Sequence, residues 1–463
     1  MSKLVIQGTV LTPEDGDAYA AAIRRNSDLS QLPAKLVAQP VTYTDVVDII
    51  AYAKSQTPPI EVAVKGGGAH PATWASSDGG IVVDLSKLKD VTVLTDKKSV
   101  VVQGGALWGD VYEVLSKEEL DVVGSPLWFV GVGGYTLGGG YGPLSGTHGL
   151  AIDNLLSATV ILADGRIVEA SANSEPELFW AIRGGGGQFG LVVEFTFKLY
   201  PSSGPYGTGV IVYPGDEMEN VIKVIQGWKA GQTPFERFTI NFSRSAPHWK
   251  PSIVMLPWVA HDENGERSKT VLKPFLDGPI KPVFQRLATV PNMLVVSHGA
   301  DASLGTAPRR LSIRGTLFSD FFPELLLGVW QRWVEFTEGN EDVRSSTVIW
   351  DLTSPKKLAE INVADTALKT RVPHYWMVVQ GRSTTDASTP TANDFAKSIT
   401  SYVREKNATL SGTDLGFFVN MAGGDEPPET VFGEQLPRLR RAKARYDPGN
   451  FWTKGFPIEP ARD

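Results

Sequence analysis

Three clusters of glycine recur within residues 64–195, and they constrain the fold of this chain more than any other feature. They read VKGGGAH over 64–70, VVGSPLWFVGVGGYTLGGGYG over 122–142 and LFWAIRGGGGQFGLVVEF over 178–195. The flanking β-branched residues favour strands that run into glycine turns. Because glycine has no Cβ, its backbone can approach a ligand closely and adopt positive φ. Three such turns predict a large, extended, polar ligand lying against backbone N–H groups, and a dinucleotide is the natural candidate.

Length and composition narrow the class of protein. A chain of 463 residues is too long for one hydrophobic core, so we expect two domains. The formal net charge is −7 and no long basic tract is present, which argues against a nucleic-acid partner. The chain has no cysteine, which excludes disulfides, thiolate metal sites, cysteine nucleophiles and thioether links to a cofactor.

Targeting signals are missing from the sequence. The first residues, MSKLVIQGTVLTPEDGD, contain no apolar signal-peptide core, and no apolar run approaches the ~20 residues of a membrane span. We therefore expect a cytoplasmic protein with no membrane partner. The sequence leaves the oligomeric state open.

The pattern of apolar residues predicts an α+β fold. Up to Pro201, short strands and helices follow one another without a regular βαβ alternation. Beyond Pro201, candidate strands alternate with long amphipathic helices, which predicts an antiparallel sheet backed by helices. These candidate strands span 207–214, 237–245, 251–260, 345–354 and 373–383.

Other catalytic motifs are absent from the sequence. No glycine cluster leads into Gly-Lys-Ser/Thr, and neither GxSxG nor a paired-histidine metal motif occurs. A Rossmann fingerprint also fails, because no glycine cluster opens a βαβ unit with an acidic residue about 20 positions later. We expect no metal site.

The ordered motifs resemble a known flavoprotein superfamily. Residues 36–201 resemble the FAD-binding domain of the vanillyl-alcohol-oxidase/PCMH-type superfamily, and the tail RLRRAKARYDPGNFW with GFPIEP resembles that of berberine-bridge-enzyme-like oxidases. The resemblance implies an FAD-binding domain over 1–205 and 412–463 and a substrate-binding domain over 206–411.

The resemblance also implies which residues hold FAD. The pyrophosphate would lie on the backbone N–H groups of the first glycine turn, and the later clusters would border the rest of the cofactor. The implied residues are Lys65, Gly66, Gly67, Gly68, Ala69, His70, Ser76, Gly131, Gly133, Gly134, Gly138, Gly139, Gly140, Tyr141, Gly142, Gly190, Val192, Asn420 and Asn450.

The chain departs from the family at the points where FAD is usually linked covalently. Family members carry a histidine directly after the first glycine cluster, where this chain has Ala69, with His70 one residue later. A second link through cysteine is impossible here. The sequence therefore leaves two states of bound FAD open, non-covalent FAD and a covalent link through His70, and we expect the former; loss of FAD altogether is a further alternative.

The family's tyrosine-based proton acceptor is also missing. A Tyr-x-Asn-Tyr-like element is replaced by Phe418–Val419–Asn420–Met421, so neither position can accept a proton. We take Asp351, an acid in an apolar strand, and Tyr375, with Trp376 beside it, as candidate catalytic residues. Arg314 and Arg382 could bind a substrate carboxylate or enolate, or form surface ion pairs.

The residues and the resemblance together favour an FAD-dependent oxidoreductase. It would take hydride from a small secondary-metabolite substrate and pass electrons to O2. The missing histidine and tyrosines motivate an alternative, a redox-neutral isomerase or cyclase on the same scaffold, which would differ by consuming no O2. A binding protein without catalysis is a third hypothesis, which the intact glycine turns disfavour.

Overall fold

The first part of the chain folds into two mixed layers of sheet and helix. A computed structural model describes residues 3–301 and 307–462. The strands of this part are β1 (Thr9–Leu11), β2 (Leu36–Gln39), β3 (Val62–Lys65), β4 (Ile81–Asp84), β5 (Val91–Val93), β6 (Ser99–Gln103), β7 (Leu120–Asp121), β8 (Leu155–Ile161), β9 (Ile167–Ser171), β10 (Leu191–Lys198) and β11 (Tyr200–Pro201). Its helices are α1 (Asp17–Ile23), α2 (Tyr43–Ser55), α3 (Trp108–Leu115), α4 (Val132–Leu137), α5 (Ser145–His148) and α6 (Pro176–Ile182).

These strands form a mostly parallel and an antiparallel sheet. The order β1-β2-β4-β3 places parallel strands β2, β4 and β3 side by side, whereas β5-β6-β10-β8-β9 is antiparallel throughout. Helix α2 covers the first sheet and buries its apolar face, from Val46 to Ala53, against the strands. Thr42 is its N-cap. The Thr42 hydroxyl accepts a hydrogen bond from the N–H of Asp45 at 3.1 Å, and the Asp45 carboxylate accepts one from the N–H of Thr42.

The second part is a seven-stranded antiparallel sheet with helices on one face. The strand order is β15-β12-β14-β13-β17-β18-β16. Its strands are β12 (Tyr206–Pro214), β13 (Glu236–Arg244), β14 (Pro251–Val259), β15 (Phe284–Val290), β16 (Arg310–Phe318), β17 (Thr347–Asp351) and β18 (Tyr375–Ser383). The helices of this part are α7 (Met218–Ala230), α8 (Glu266–Val271), α9 (Lys273–Leu276), α10 (Met293–Ser297), α11 (Pro323–Gly339) and α12 (Thr389–Ser411).

Alternation along β18 decides which side chains reach the site. Tyr375, Met377 and Val379 lie in the core formed with α7, α11 and α12. Trp376 and Gln380 point to the opposite face, as the period of two in a strand requires. Trp376 packs there on Phe418 from the C-terminal segment. This second face of the sheet therefore looks toward the glycine turns.

The C-terminal segment returns to the first part of the molecule. It contains α13 (Pro428–Phe432) and α14 (Leu436–Tyr446). The buried ammonium of Lys443 pairs with Asp447 at 2.7 Å and donates to the carbonyls of Gln188 and Trp452. Since the burial of a charge is tolerated only with such partners, this lysine fixes the tail against the third glycine cluster.

The predicted α+β class, with an antiparallel sheet backed by helices, is confirmed. Strands β15 and β16 were not among the predicted strands; β16 carries Gly315 and two arginines, which hide its alternation. The domain boundaries stay a prediction. Within the described ranges, no helix has both the length and the hydropathy needed to cross a membrane.

Candidate active site

A cavity of about 660 Å³ lies between the glycine turns and the sheet of the second part. Its walls include segments within 66–71, 127–138 and 184–192, the first residues of β16, the end of β18, and the C-terminal segment. The volume falls within the range typical of ligand sites. The cavity therefore brings together all three glycine clusters that the sequence singles out.

The first two glycine clusters touch each other. A Cβ built on Gly67 would lie 2.5 Å from the backbone nitrogen of Gly131, and a Cβ on Gly131 would meet the backbone of Gly67 in turn. Gly68 has φ +62°, a value that favours glycine. The two turns can therefore form one continuous wall of backbone only because both positions lack a side chain.

His70 places a buried donor on this wall. Its Nδ1 accepts a hydrogen bond from the N–H of Ala72 at 3.0 Å, so the ring proton of the neutral form belongs on Nε2. The ring stacks on Trp74 at 4.5 Å. Nε2 is buried without a partner among the described residues, and burial lowers the pKa of His70 to about 4. His70 is therefore a neutral imidazole that lines the cavity and has an N–H without a partner among the described residues.

Asn420 joins the C-terminal segment to the second glycine cluster. Its Oδ1 accepts from the N–H of Gly140 at 2.9 Å, and its Nδ2 donates to the carbonyl of Tyr135 at 2.8 Å. A Cβ on Gly138 would collide with the Asn420 amide. The amide thus fixes the spacing between two walls of the cavity.

Comparison with known proteins identifies the family. The model of an FAD-binding domain matches residues 34–171, and a model described as berberine and berberine-like matches 417–458. An FAD-linked oxidoreductase of Aspergillus terreus, pgmH, is 30% identical over 98% of this chain and 94% of its own length. This chain belongs to the FAD-linked oxidoreductases.

Solved structures share the fold. The crystal structure of 6-hydroxy-D-nicotine oxidase from Arthrobacter nicotinovorans superposes with a TM-score of 0.83 at 23% identity and covers 99% of both chains. A berberine-bridge-like enzyme of Physcomitrella patens gives 0.84 at 20% identity and covers 98% of both chains. The protein therefore has the fold of these two enzymes.

The residues of the cavity suit FAD, the cofactor of this family. Gly67 and Gly131 line the cavity and lie so close together that a Cβ on either would collide with the backbone of the other. His70 and Trp452 line the same cavity, and each carries a buried N–H without a partner among the described residues. Many N–H donors and few carboxylates are what a diphosphate-bearing ligand requires.

Most residues that the resemblance implied for FAD line this cavity. They are Gly66, Gly67, Gly68, Ala69, His70, Gly131, Gly133, Gly134, Gly138, Gly190, Val192 and Asn420. The others lie behind the wall: Lys65 pairs with Asp84, Ser76 donates to the carbonyl of Ser30, and Asn450 donates to Glu459. Gly139, Gly140, Tyr141 and Gly142 also lie outside the lining. Contact of each residue with FAD stays a prediction.

The third glycine cluster contributes more than the sequence analysis assigned to it. Gly184–Gln188 line the cavity together with Trp452, Lys454 and Phe456 of the tail. The Gln188 amide holds these two segments together, since it donates to the carbonyl of Lys454 and accepts from the N–H of Ile458. The four consecutive glycines were the sequence signal for this wall.

A tyrosine–histidine pair that sequence analysis did not connect lies beside the cavity. The hydroxyl of Tyr141 is 2.6 Å from Nε2 of His374, whose Nδ1 donates to the carbonyl of Val372 at 2.7 Å. Nε2 is therefore the acceptor, and Tyr141 donates to it. Burial lowers the pKa of His374 to about 4 and raises that of Tyr141. Tyr141 packs edge-on against Phe418, the residue that stands where the family has a tyrosine.

The two catalytic candidates from the sequence lie elsewhere. Tyr375 faces the helices and packs against Phe318 and Phe321, so its hydroxyl does not reach the cavity. Asp351 lies on the sheet face toward the glycine turns but is 1% exposed and paired with Arg237. Burial raises the pKa of Asp351, and Arg237 opposes that rise. Neither residue lines the cavity. Among the described residues, no cluster of potential metal ligands occurs.

Proposed function

We propose that this FAD-linked oxidoreductase oxidises a small organic substrate in the cavity and uses O2 as its electron acceptor. The observation that carries the proposal is the composition of the two cavity walls. One wall is glycine backbone, and the other is formed by side chains from β16 and β18. FAD seated on the glycine wall would therefore leave its exposed face toward side chains that can select a substrate.

The proposed state of FAD is non-covalent. Ala69 occupies the position of the family's linking histidine, and its methyl group cannot form such a bond. Nδ1 of His70 is already used by the N–H of Ala72, and Nε2 carries the proton. His70 therefore acts as a hydrogen-bond donor toward FAD, with the first glycine turn supplying backbone N–H groups.

FAD, when bound, supplies hydride acceptance from a substrate C–H bond and delivery of the electrons to O2. The chain must supply the group that accepts a proton from a substrate hydroxyl. We assign this role to Tyr141, which lies outside the cavity lining and packs on Phe418. It would pass its own proton to Nε2 of His374 along their 2.6 Å hydrogen bond, against the lowered pKa of that histidine. The carbonyl of Val372 holds the histidine in the required tautomer.

This assignment replaces Asp351 and Tyr375. The carboxylate of Asp351 is held by Arg237, and a base paired in this way is not free to accept a substrate proton. Tyr375 lies on the wrong face of the sheet. A secondary-metabolite substrate and a cytoplasmic location stay predictions from the sequence.

The test is to load the purified protein with FAD and mix it without oxygen with a panel of small alcohols, amines and phenols. The panel includes 6-hydroxy-D-nicotine, the compound named in the structural neighbour. Bleaching of the flavin, followed by its recovery and hydrogen peroxide formation when O2 is admitted, supports the proposal. Product formation without bleaching would instead support the redox-neutral isomerase or cyclase.

A further inference from the structure

Arg382, near the end of β18, is a buried cation without an anionic partner among the described residues. It is 8% exposed and lines the cavity. Nη1 donates to the carbonyl of Pro308 at 2.6 Å, and Nη2 donates to Oε1 of Gln380 at 3.0 Å. Burial without a neighbouring carboxylate lowers the pKa of Arg382 to about 10. The burial of an unpaired charge costs free energy, and an anionic ligand beside Arg382 would offset that cost.

Arg314, on the adjacent strand β16, is a buried arginine whose charge is neutralised by carboxylates. It is also 8% exposed, but it lies on the opposite face and pairs with Asp425 and Glu426. These carboxylates raise the pKa of Arg314 despite its burial. The two arginines are equally exposed and lie on neighbouring strands. Arg314, away from the cavity, has carboxylate partners, whereas Arg382, on the cavity, has none among the described residues.

The neighbours of Arg382 add further donors. Oε1 of Gln380 accepts from Arg382 and, at 3.3 Å, from the hydroxyl of Thr347, so the NH₂ group of this amide remains for a ligand. Arg382 uses two of its five N–H groups on partners within the described residues. In the register of β16 and β18, Leu311 stands opposite Arg382 and Ile313 opposite Gln380. This patch therefore combines free N–H donors with an apolar surface.

We propose that Arg382 and Gln380 bind the anionic group of the substrate, a carboxylate attached to an apolar ring. The fork of a guanidinium fits two oxygens of one group, which a lysine would not match. Leu311 and Ile313 contact the apolar part. This inference rests on the proposed function and names the substrate class of the same site.

FAD itself is an anion, and two basic side chains, Arg25 and Lys65, lie close to the first glycine turn at the other wall, although Lys65 is already paired with Asp84. A Cβ on Gly68 would be 3.0 Å from Cδ of Arg25 and 3.5 Å from Cε of Lys65. These side chains lie beneath the first glycine turn, whose backbone N–H groups suit a diphosphate. Arg382 lies at the opposite wall, on β18, and the FAD affinity of its variants shows whether its charge serves FAD or a second ligand.

The experiment compares benzoate with benzamide, a neutral molecule of the same shape, as ligands of the FAD-loaded protein. Binding is followed by the change in flavin absorption and, independently, by the rise in unfolding temperature. FAD affinity is measured in parallel for each protein. The variants are Arg382→Gln, Arg382→Lys, and Arg310→Gln as a control. Arg310 stands opposite Ser383 on the same strand pair but forms an exposed ion pair with Asp386 and does not line the cavity.

We expect wild-type protein and Arg310→Gln to bind benzoate at least tenfold more tightly than benzamide. Arg382→Gln loses this preference, and Arg382→Lys keeps part of it while all variants retain FAD. If Arg382→Gln fails to fold, Arg382→Lys provides the test: a reduced preference for benzoate supports the inference, and an unchanged preference overturns it.

Equal binding of the two ligands to the wild type, or an unchanged preference in Arg382→Gln, overturns the inference. A loss of FAD affinity in Arg382→Gln with the preference intact assigns the cation to the diphosphate and overturns it as well. A wild-type protein that binds no FAD overturns the proposed function instead; the unfolding temperature with benzoate then still decides the inference.

Discussion

Gly67 and Gly131 meet backbone to backbone, and a Cβ on Gly67 would lie 2.5 Å from the nitrogen of Gly131. The contact closes the first two glycine clusters, 64 positions apart in the chain, into one wall of the cavity. A side chain at either position would collide with the backbone of the other glycine.

Gly67→Ala should destabilise the protein by about 1–3 kcal/mol, because the backbones must separate to admit a methyl group. Gly187→Ala is the matched control: Gly187 also lines the cavity, but the nearest atom to its Cβ is 4.0 Å away. Urea unfolding of both variants without FAD measures the difference. Equal stabilities would show that the wall tolerates a side chain at residue 67.

Asn420→Ala should cost about 1–3 kcal/mol, since it leaves the buried N–H of Gly140 and the carbonyl of Tyr135 without their partner. It should also weaken FAD binding, because the second glycine cluster loses its support. Asn220→Ala removes a single exposed hydrogen bond, to Glu217 at 2.8 Å and away from the cavity, and should change stability and FAD binding little. Thermal unfolding and FAD titration check both; comparable losses in the two variants would contradict this role.

Tyr141→Phe should slow flavin reduction by any identified hydroxyl-bearing substrate by about 10²- to 10⁴-fold, the usual contribution of a positioned proton acceptor. FAD affinity should remain, since only one hydroxyl is lost. Tyr375→Phe makes the same change on the far face of the sheet and should leave the rate unaltered. Rapid mixing without oxygen measures the rates, and the assignment is wrong if Tyr375→Phe is the slower variant.

Acidification should destabilise the FAD-free protein through His70. The folded pKa is about 4 and the ordinary value is 6.5, so the unfolded chain binds more protons between these values. Stability from this residue is therefore present above pH 6.5 and falls by about 2 kcal/mol between pH 7 and pH 5. His70→Gln should flatten the dependence by that amount in urea unfolding at the two pH values. An unchanged slope would mean that the ring is not buried.

Local sequence features were sufficient to locate the glycine turns that form one wall of the cavity. Glycine is needed where the backbone must approach a ligand or another strand, so Gly66–Gly68 and Gly131–Gly138 could be located from their identity and order. The replacement of the family histidine by Ala69 was equally visible. The orientation of His70 was not, because it depends on the hydrogen bond from Ala72 and on stacking against Trp74.

Long-range pairing could not be predicted. Tyr141 and His374 are 233 positions apart, and their contact exists only because β18 packs against the second glycine cluster. Burial of Asp351 suggested a base, but its pairing with Arg237 across two strands was not visible in the sequence. The same limit applies to the two arginines, since sequence alone does not show that Arg314 has carboxylate partners and Arg382 has none.

The most direct measurement is the absorption spectrum of the purified, FAD-loaded protein, repeated on the supernatant after acid precipitation. We expect the visible bands of an oxidised flavin and release of all colour to the supernatant. Colour that stays in the pellet would contradict the non-covalent state and the assignment of His70 as a donor. A colourless protein that cannot be loaded with FAD would contradict the assignment of the cavity itself.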